Sequence, residues 1–359
     1  MGKKGQGDGR IFEPTPIVSL LAGKQCPVDL YIRTATDTYV LYRAAHTPLK
    51  KGTFQRLRDR GIEILYIDRG QKEDYDDYMA GTLRSVVSDT KLPERRKNSL
   101  IYSVSEEVMK GVLAHPRSGR SLNRVRPLVD ATVQTILKNP ESLWQMTEMA
   151  GHHYRTYTHS LNVSLFLLGA THAILDIDDQ ARLKPVGLGA MLHDLGKSAI
   201  PESLLSKPGK LTTSEFQSIK KHPVLGVRLA RRTLQLQPDC EQIIRGHHER
   251  CDGSGYPGGK TAKELGEIVK LASIVDAYDA LTTDRSYAPA KSPFDALKIM
   301  LQEPKEHFDS HLLEEFIRFL GSSDTPAERQ QRHSPQRKGQ KGPDWARERS
   351  NPTRSAPTA

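Results

Sequence analysis

Val186-Gly187-Leu188-Gly189-Ala190-Met191-Leu192-His193-Asp194-Leu195-Gly196-Lys197 reads as the end of an apolar helix that delivers an imidazole and a carboxylate side by side. Val186, Leu188, Met191 and Leu192 supply its buried residues, and Gly196 stands where a C-terminal cap would stop it. A lone histidine is more often a satisfied polar residue than a ligand. The surroundings of this doublet argue otherwise, because eight of the chain's thirteen histidines fall between His152 and His248.

On the N-terminal side His159 opens the apolar run Leu161, Val163, Leu165, Phe166 and Leu168. On the other side come His222 before Pro223, the pair His247-His248, and Asp276 within an apolar helix expected over 269–281. Successive stations lie 25 to 34 residues apart, one helix out and one helix or loop back, so a helical bundle can gather them into one pocket. His159 and His193-Asp194 fall at helix ends, and His222 falls in the first turn of a helix over 224–234, where Pro223 is suited. Asp276 needs a partner in so apolar a segment. His152, His153, His172, His307 and His311 lack this pattern and are read as ordinary polar residues.

Five imidazoles and two carboxylates exceed the needs of one ion but fit two if a carboxylate bridges them. Asp194 is the natural bridge: His159, His193, Asp194 and Asp276 would serve one ion, and Asp194, His222, His247 and His248 the other. Nitrogen and oxygen donors without thiolate suit iron, manganese or zinc better than magnesium or calcium. Two ions about 3.5 to 4 Å apart hold a bridging hydroxide and clamp a phosphoryl centre, so phosphoester hydrolysis is the expected reaction class. Lys197, just past the doublet, and Arg285, in Thr282-Thr283-Asp284-Arg285, are placed to meet nonbridging phosphate oxygens. Asp194 and Lys197 are the expected catalytic residues.

Residues 11–83 read as a small α+β domain. Val28–Arg33 and Thr38–Tyr42 form a hairpin about a polar turn, Thr53 starts a short helix bearing Phe54 and Leu57, Gly61 stops it, and Ile62–Ile67 returns as a strand. Nothing there has ligand spacing, and a regulatory or docking role is expected. Residues 84–150 carry helical periodicity, as in Leu100, Ile101, Val104, Val108 and Val112, and read as connector helices. Arg117, Arg120, Arg124 and Arg126 make their junction basic, a pattern read as a solvated face.

With 359 residues, 36% hydrophobic and 27% charged, the chain suits at least two folded units, and no apolar run approaches the roughly 20 residues of a membrane helix. The start lacks the apolar core of a signal peptide, so a cytoplasmic location is expected. Cys26, Cys240 and Cys251 form no C-x-x-C pair, which sets thiol chemistry aside. The net charge of +10 suggests phosphate-bearing partners, yet six of those charges lie in residues 1–10 and 321–359. Both ends read as disordered, the latter being rich in Ser, Pro, Gln and Arg, so neither nucleic acid nor membrane is an expected partner.

Residues from about 151 to 320 resemble an HD-GYP domain, a subgroup of HD phosphohydrolases associated with hydrolysis of the bacterial messenger cyclic di-GMP. The resemblance rests on His193-Asp194-Leu195-Gly196-Lys197, Ile200-Pro201, Lys207-Pro208-Gly209-Lys210-Leu211-Thr212 and His222-Pro223. It continues through His247-His248-Glu249-Arg250-Cys251-Asp252-Gly253-Ser254-Gly255-Tyr256-Pro257 and Ala272-Ser273-Ile274-Val275-Asp276-Ala277-Tyr278-Asp279-Ala280-Leu281-Thr282. It implies a mainly α protein, an all-helical HD-type bundle behind the small α+β domain. The seven residues named above would hold the metal pair, and Lys197 and Arg285 would contact phosphate. Gly255, Tyr256 and Pro257, with Tyr256 expected on an exposed turn, would shape the substrate site or meet partner proteins such as diguanylate cyclases. Phe12-Glu13-Pro14, Asp29–Arg33 and Tyr39–Tyr42 resemble the small domain often found ahead of it.

Two departures stand out. Arg155 occupies a position where some members carry a glutamate for a third metal, which points to two ions. Ala288-Pro289 replaces a basic pair after Tyr287. The implied activity is opening of cyclic di-GMP to pGpG or onward to GMP. The alternatives are a sensor or cyclase-docking module with weak turnover, and a hydrolase of another cyclic dinucleotide. A homodimer is compatible with either.

Overall fold

The computed structural model describes residues 10–321 apart from 18–19, 21–24, 37, 51, 150–155, 285–288 and 305. Both ends read as disordered lie outside the described residues, except for Arg10 and Gly321. Arg155, Arg285, Tyr287, Ala288 and the histidines at 152 and 153 also lie outside them.

Four strands, β1 (Phe12–Pro16), β2 (Leu30–Ala35), β3 (Thr38–Arg43) and β4 (Ile64–Asp68), form an antiparallel sheet in the order β1-β4-β2-β3. β2 and β3 are the expected hairpin, and Tyr31 pairs with Tyr66 to join it to β4. Alternation sets the inner face: Leu65 and Ile67 are fully buried, while Ile64 is 46% exposed. β1 pairs with β4 from Phe12↔Asp68 to Pro16↔Ile64 at a sheet edge, where a strand tolerates Pro14 and Pro16. α1 (Thr53–Arg58) lies between β3 and β4 as expected.

The rest is helical. α2 (Lys72–Ser88), α3 (Glu94–Ala114), α4 (Gly119–Asn123), α5 (Val125–Lys138) and α6 (Glu141–Thr147) lead into the bundle. The bundle comprises α7 (Thr156–Ile174), α8 (Gln180–Leu192), α9 (Glu202–Leu205), α10 (Thr213–Ile219), α11 (His222–Arg231), α12 (Pro238–Gly246), α13 (Glu267–Thr282), α14 (Pro293–Gln302) and α15 (Ser310–Gly321). A short 3₁₀ helix covers Leu195–Ala199. α7 is buried on nearly every side from Thr158 to Thr171, which marks it as the central helix. α8 packs on α7, α5 and α12, and Gly189 allows the last approach: a Cβ there would stand 2.9 Å from the Cys240 carbonyl oxygen. One apolar core runs from Leu30 and Leu65 of the sheet through Leu83, Val104 and Leu128 to Leu168 and Ile274.

Arg117, Arg120 and Arg126 are exposed, as expected of a solvated face, whereas Arg124 is not. Arg124 is only 5% exposed; its Nε lies 2.6 Å from Asp77 and its Nη2 donates to the Glu73 carbonyl at 2.8 Å, with buried Asp76 at 3.4 Å. Arg120 reaches Asp74 at 2.8 Å and Asp77 at 2.6 Å. These cations tie α4 and α5 to α2, because an arginine at a helix junction can enter the interior only where several carboxylates meet its fork. Among the described residues, no helix is long and apolar enough to cross a membrane.

Candidate metal centre

His159 sits in the first turn of α7, His193 caps the C-terminus of α8, and His222 begins α11. His247 caps α12, His248 follows it, and Asp276 lies within α13. The bundle thus brings together all seven residues expected as ligands. Five of them, His159, His193, Asp194, His222 and His247, are no more than 1% exposed.

Asp194 occupies the middle. Its Oδ2 lies 3.3 Å from His193 Nε2 and 3.6 Å from His159 Nε2, and its Oδ1 lies 3.4 Å from His222 Nε2 and 3.9 Å from His247 Nε2. Asp276 faces His159 Nε2 at 3.1 Å through one oxygen and His248 Nδ1 at 3.5 Å through the other. Potential donor atoms therefore gather into two groups, His159-His193-Asp194 and Asp194-His222-His247-His248, which share Asp194.

The ring nitrogens on the far side are anchored. His193 Nδ1 meets the Ala190 carbonyl at 2.7 Å, His222 Nδ1 meets that of Ile219 at 2.9 Å, and His247 Nδ1 meets that of Ile244 at 3.1 Å. A carbonyl only accepts, so each Nδ1 carries the hydrogen and each Nε2 presents a lone pair inward. His159 Nδ1 is held instead by the Asp279 carboxylate at 2.7 Å. As a result lone pairs face each other: His159 and His193 Nε2 are 3.2 Å apart, as are His222 and His247 Nε2. Among the described residues, no hydrogen-bond donor reaches buried Asp194 Oδ1. Buried acceptors converging on acceptors are stabilised by a cation between them, so the donor set fits divalent metal.

Electrostatics agree. Burial pushes the His222, His247 and His248 imidazoles down, His248 to about 3, which keeps them neutral and able to ligate. Burial also pushes the Asp194 carboxyl up, yet Lys197, His193 and His222 together hold it well below the carboxylate range. Asp276 is likewise held low by His159, His248 and His193 against its burial.

Three details differ from expectation. Gly196 is no helix cap: it lies inside the 3₁₀ helix, where a Cβ would meet the His222 carbonyl oxygen at 1.9 Å, so glycine is required by the approach of α11. Lys197 turns inward and its Nζ lies 2.6 Å from Asp194 Oδ2. Tyr256, expected on an exposed turn, is half-buried with its ring 4.7 Å from that of His248 and Lys220 Nζ 5.1 Å above it. Burial raises the Tyr256 hydroxyl, which therefore stays a donor.

Two residues escaped the reading of ligand spacing. Asp279 orients His159, and its signal was a second aspartate one helical turn after Asp276 on an apolar helix. Glu249, 3% exposed, accepts the backbone N–H groups of Gly258 at 2.6 Å and Lys260 at 3.0 Å, and so fixes the loop that carries Tyr256. Gly255 fits this loop because a Cβ would lie 2.3 Å from the Arg250 nitrogen. His172 and His307 make ordinary polar contacts, with the Ile177 carbonyl and with Glu303 and Asp252. Burial lifts the Cys26 and Cys240 thiols to about 11 and about 12, which leaves them inert.

A mainly helical bundle that pools histidines and aspartates from five helices defines a protein of the metal-binding histidine–aspartate class. Residues 167–312 match the HD domain family. A cyclic di-GMP phosphodiesterase of Pseudomonas aeruginosa is 28% identical over 281 residues, covering 74% of this chain and 67% of its own. A probable cyclic di-GMP phosphodiesterase of Vibrio cholerae is 30% identical over 237 residues, 64% of this chain and 51% of its own. A solved HD-GYP-type protein from Bdellovibrio bacteriovorus superposes with a TM-score of 0.61 at 20% identity, covering 87% of this chain and all of that one, which shows the shared fold. The HD domain match spans His193, Asp194, His222, His247, His248 and Asp276. This chain spans two thirds of the first relative and about half of the second.

Proposed function

We propose that this protein is a metal-dependent phosphodiesterase that opens cyclic di-GMP to pGpG or onward to GMP, acting in the cytoplasm. The observation that carries the reading is the shared Asp194, buried between two histidine groups with an oxygen directed to each. His159, His193, Asp194 and Asp276 would hold one divalent ion and Asp194, His222, His247 and His248 the second, with iron or manganese favoured by the donors and zinc also suited. When bound, such a pair supplies Lewis acidity and a water activated at neutral pH.

The chain's own residues do the rest. The anchored Nδ1–H groups keep each imidazole pointing inward, and Asp279 does this for His159. Lys197, beside Asp194, is placed to turn its ammonium to a nonbridging phosphate oxygen once the carboxylate is shared with metal. Tyr256 keeps its proton and lies over His248, so its hydroxyl is available to a phosphate or a guanine edge, and the Gly255–Pro257 turn walls the site. Arg285 joins the proposal from the sequence alone. The exposed side of the same turn, at Pro257, is the proposed contact for diguanylate cyclases.

Two relatives' names favour a second substrate: 3′3′-cGAMP-specific phosphodiesterases of Vibrio cholerae are 36% identical over 124 residues and 33% identical over 168 residues. The test is turnover by protein loaded with iron, manganese or zinc and offered each dinucleotide. Faster hydrolysis of cyclic di-GMP is expected; preference for 3′3′-cGAMP would replace the substrate, and cleavage of neither would overturn the reading.

A further inference from the structure

We propose that the trough between α11 and α12 is a docking site for an acidic, amphipathic helical segment of a partner protein. It encloses about 360 Å³ and is lined by Val224, Val227, Arg228, Arg231, Arg232 and Arg245. Val224, Val227, Arg228 and Arg231 recur at i, i+3, i+4 and i+7, one stripe of α11. His222 lies two positions before Val224, about 200° round the helix, and Arg245 stands in the same relation to His247 on α12. The trough therefore lies on the reverse side of the two helices that deliver ligands, away from the metal centre.

Charge identifies the occupant. Four guanidinium groups meet one carboxylate, Glu241, which lies 2.6 Å from Arg231 and 3.5 Å from Arg245 and holds the two walls in register. Among the described residues Arg228 and Arg232 have no ion-pair partner, and the side chains of Arg231 and Arg245 remain 60% and 42% exposed. The helix dipole favours a cation in the last turn, which suits Arg228 and Arg231 on α11 and Arg245 on α12, but it does not require cations of two helices to converge on one trough. Arginine forks match carboxylates in pairs, and half-buried Val224 adds apolar contact between them, the combination an amphipathic acidic helix presents. Among the described residues no aromatic lines the trough, so they supply no stacking surface of the kind a single-stranded nucleic-acid site uses.

The test measures fluorescence anisotropy of full-length protein with three probes: a helical peptide with glutamates on one stripe and leucines beside it, the same residues scrambled, and a single-stranded RNA. The patterned peptide should bind in preference to the other two. Arg228→Glu with Arg232→Glu should weaken it roughly tenfold or more while leaving metal content and melting temperature unchanged, which shows the variant is folded. Equal binding of the scrambled peptide, unchanged affinity in the reversed variant, or tighter binding of RNA through the same arginines would each overturn the proposal.

Discussion

Charge is buried in two places in this protein, and the two are built on opposite terms. At the α2–α5 junction Arg124 is enclosed with Asp76, Asp77 and Glu73, so each acceptor faces a donor. In the bundle, lone pairs of four imidazoles and a carboxylate oxygen face one another, with the Lys197 ammonium at the margin. The first arrangement is complete without any added group and serves stability. The second gains its partner only from a bound cation, which is what separates a binding centre from a structural ion pair.

The largest effect that would break this contrast is on turnover. Asp194→Asn removes the shared charge and should lower hydrolysis of cyclic di-GMP by about 10³-fold or more, since both ion positions lose a ligand. Steady-state rates on loaded protein check it, and a loss of less than tenfold would show that the carboxylate is not shared.

Arg124→Met should act on the other side alone. Asp76 keeps its ion pair with Lys72, but losing the buried guanidinium takes a donor from Asp77 and from the Glu73 carbonyl and costs about 1–3 kcal/mol, visible as a lower melting temperature, while metal content at room temperature stays at the wild-type value. Metal loss in this variant would show that the two regions are coupled.

Asp279→Asn is a finer probe. An amide in place of the carboxylate weakens the anchor on His159, and metal affinity should fall roughly 10- to 100-fold with the fold intact. Competition with a chelator gives the number, and unchanged affinity would assign Asp279 to packing.

The smallest effect is in acid. Unfolded imidazoles take up protons near pH 6.5, whereas His248 does so only at about 3, with His222 and His247 also depressed by burial. Between those values the unfolded chain holds more protons, so stability falls as pH falls. The melting temperature of metal-free protein should drop from about pH 7 to about pH 4, with a shallower slope in His248→Asn. A flat profile would contradict the assigned neutrality of these rings.

Much of the centre was legible because ligand chemistry restricts residue types and a bundle restricts spacing. His159, His193, Asp194, His222, His247, His248 and Asp276 stand together as read. What escaped depends on paths through space. β1 was not read from spacing because Pro14 and Pro16 argue against a strand except at an edge. Glu249 satisfies backbone groups of a loop and carries no periodic signal, and Tyr256 folds inward only because that loop is pinned. Gly196 was read as a stop, whereas its absent side chain admits α11. Arg124 looked solvated until α2 supplied its carboxylates.

The most direct test of the central claim is a count of divalent metal per chain by elemental analysis, on protein purified without oxygen, for the wild type, His193→Asn and His222→Asn. Two ions are expected in the wild type and one in each variant, because each substitution empties one group while Asp194 still serves the other. A single ion in all three, or none in any, would contradict a paired centre built on Asp194.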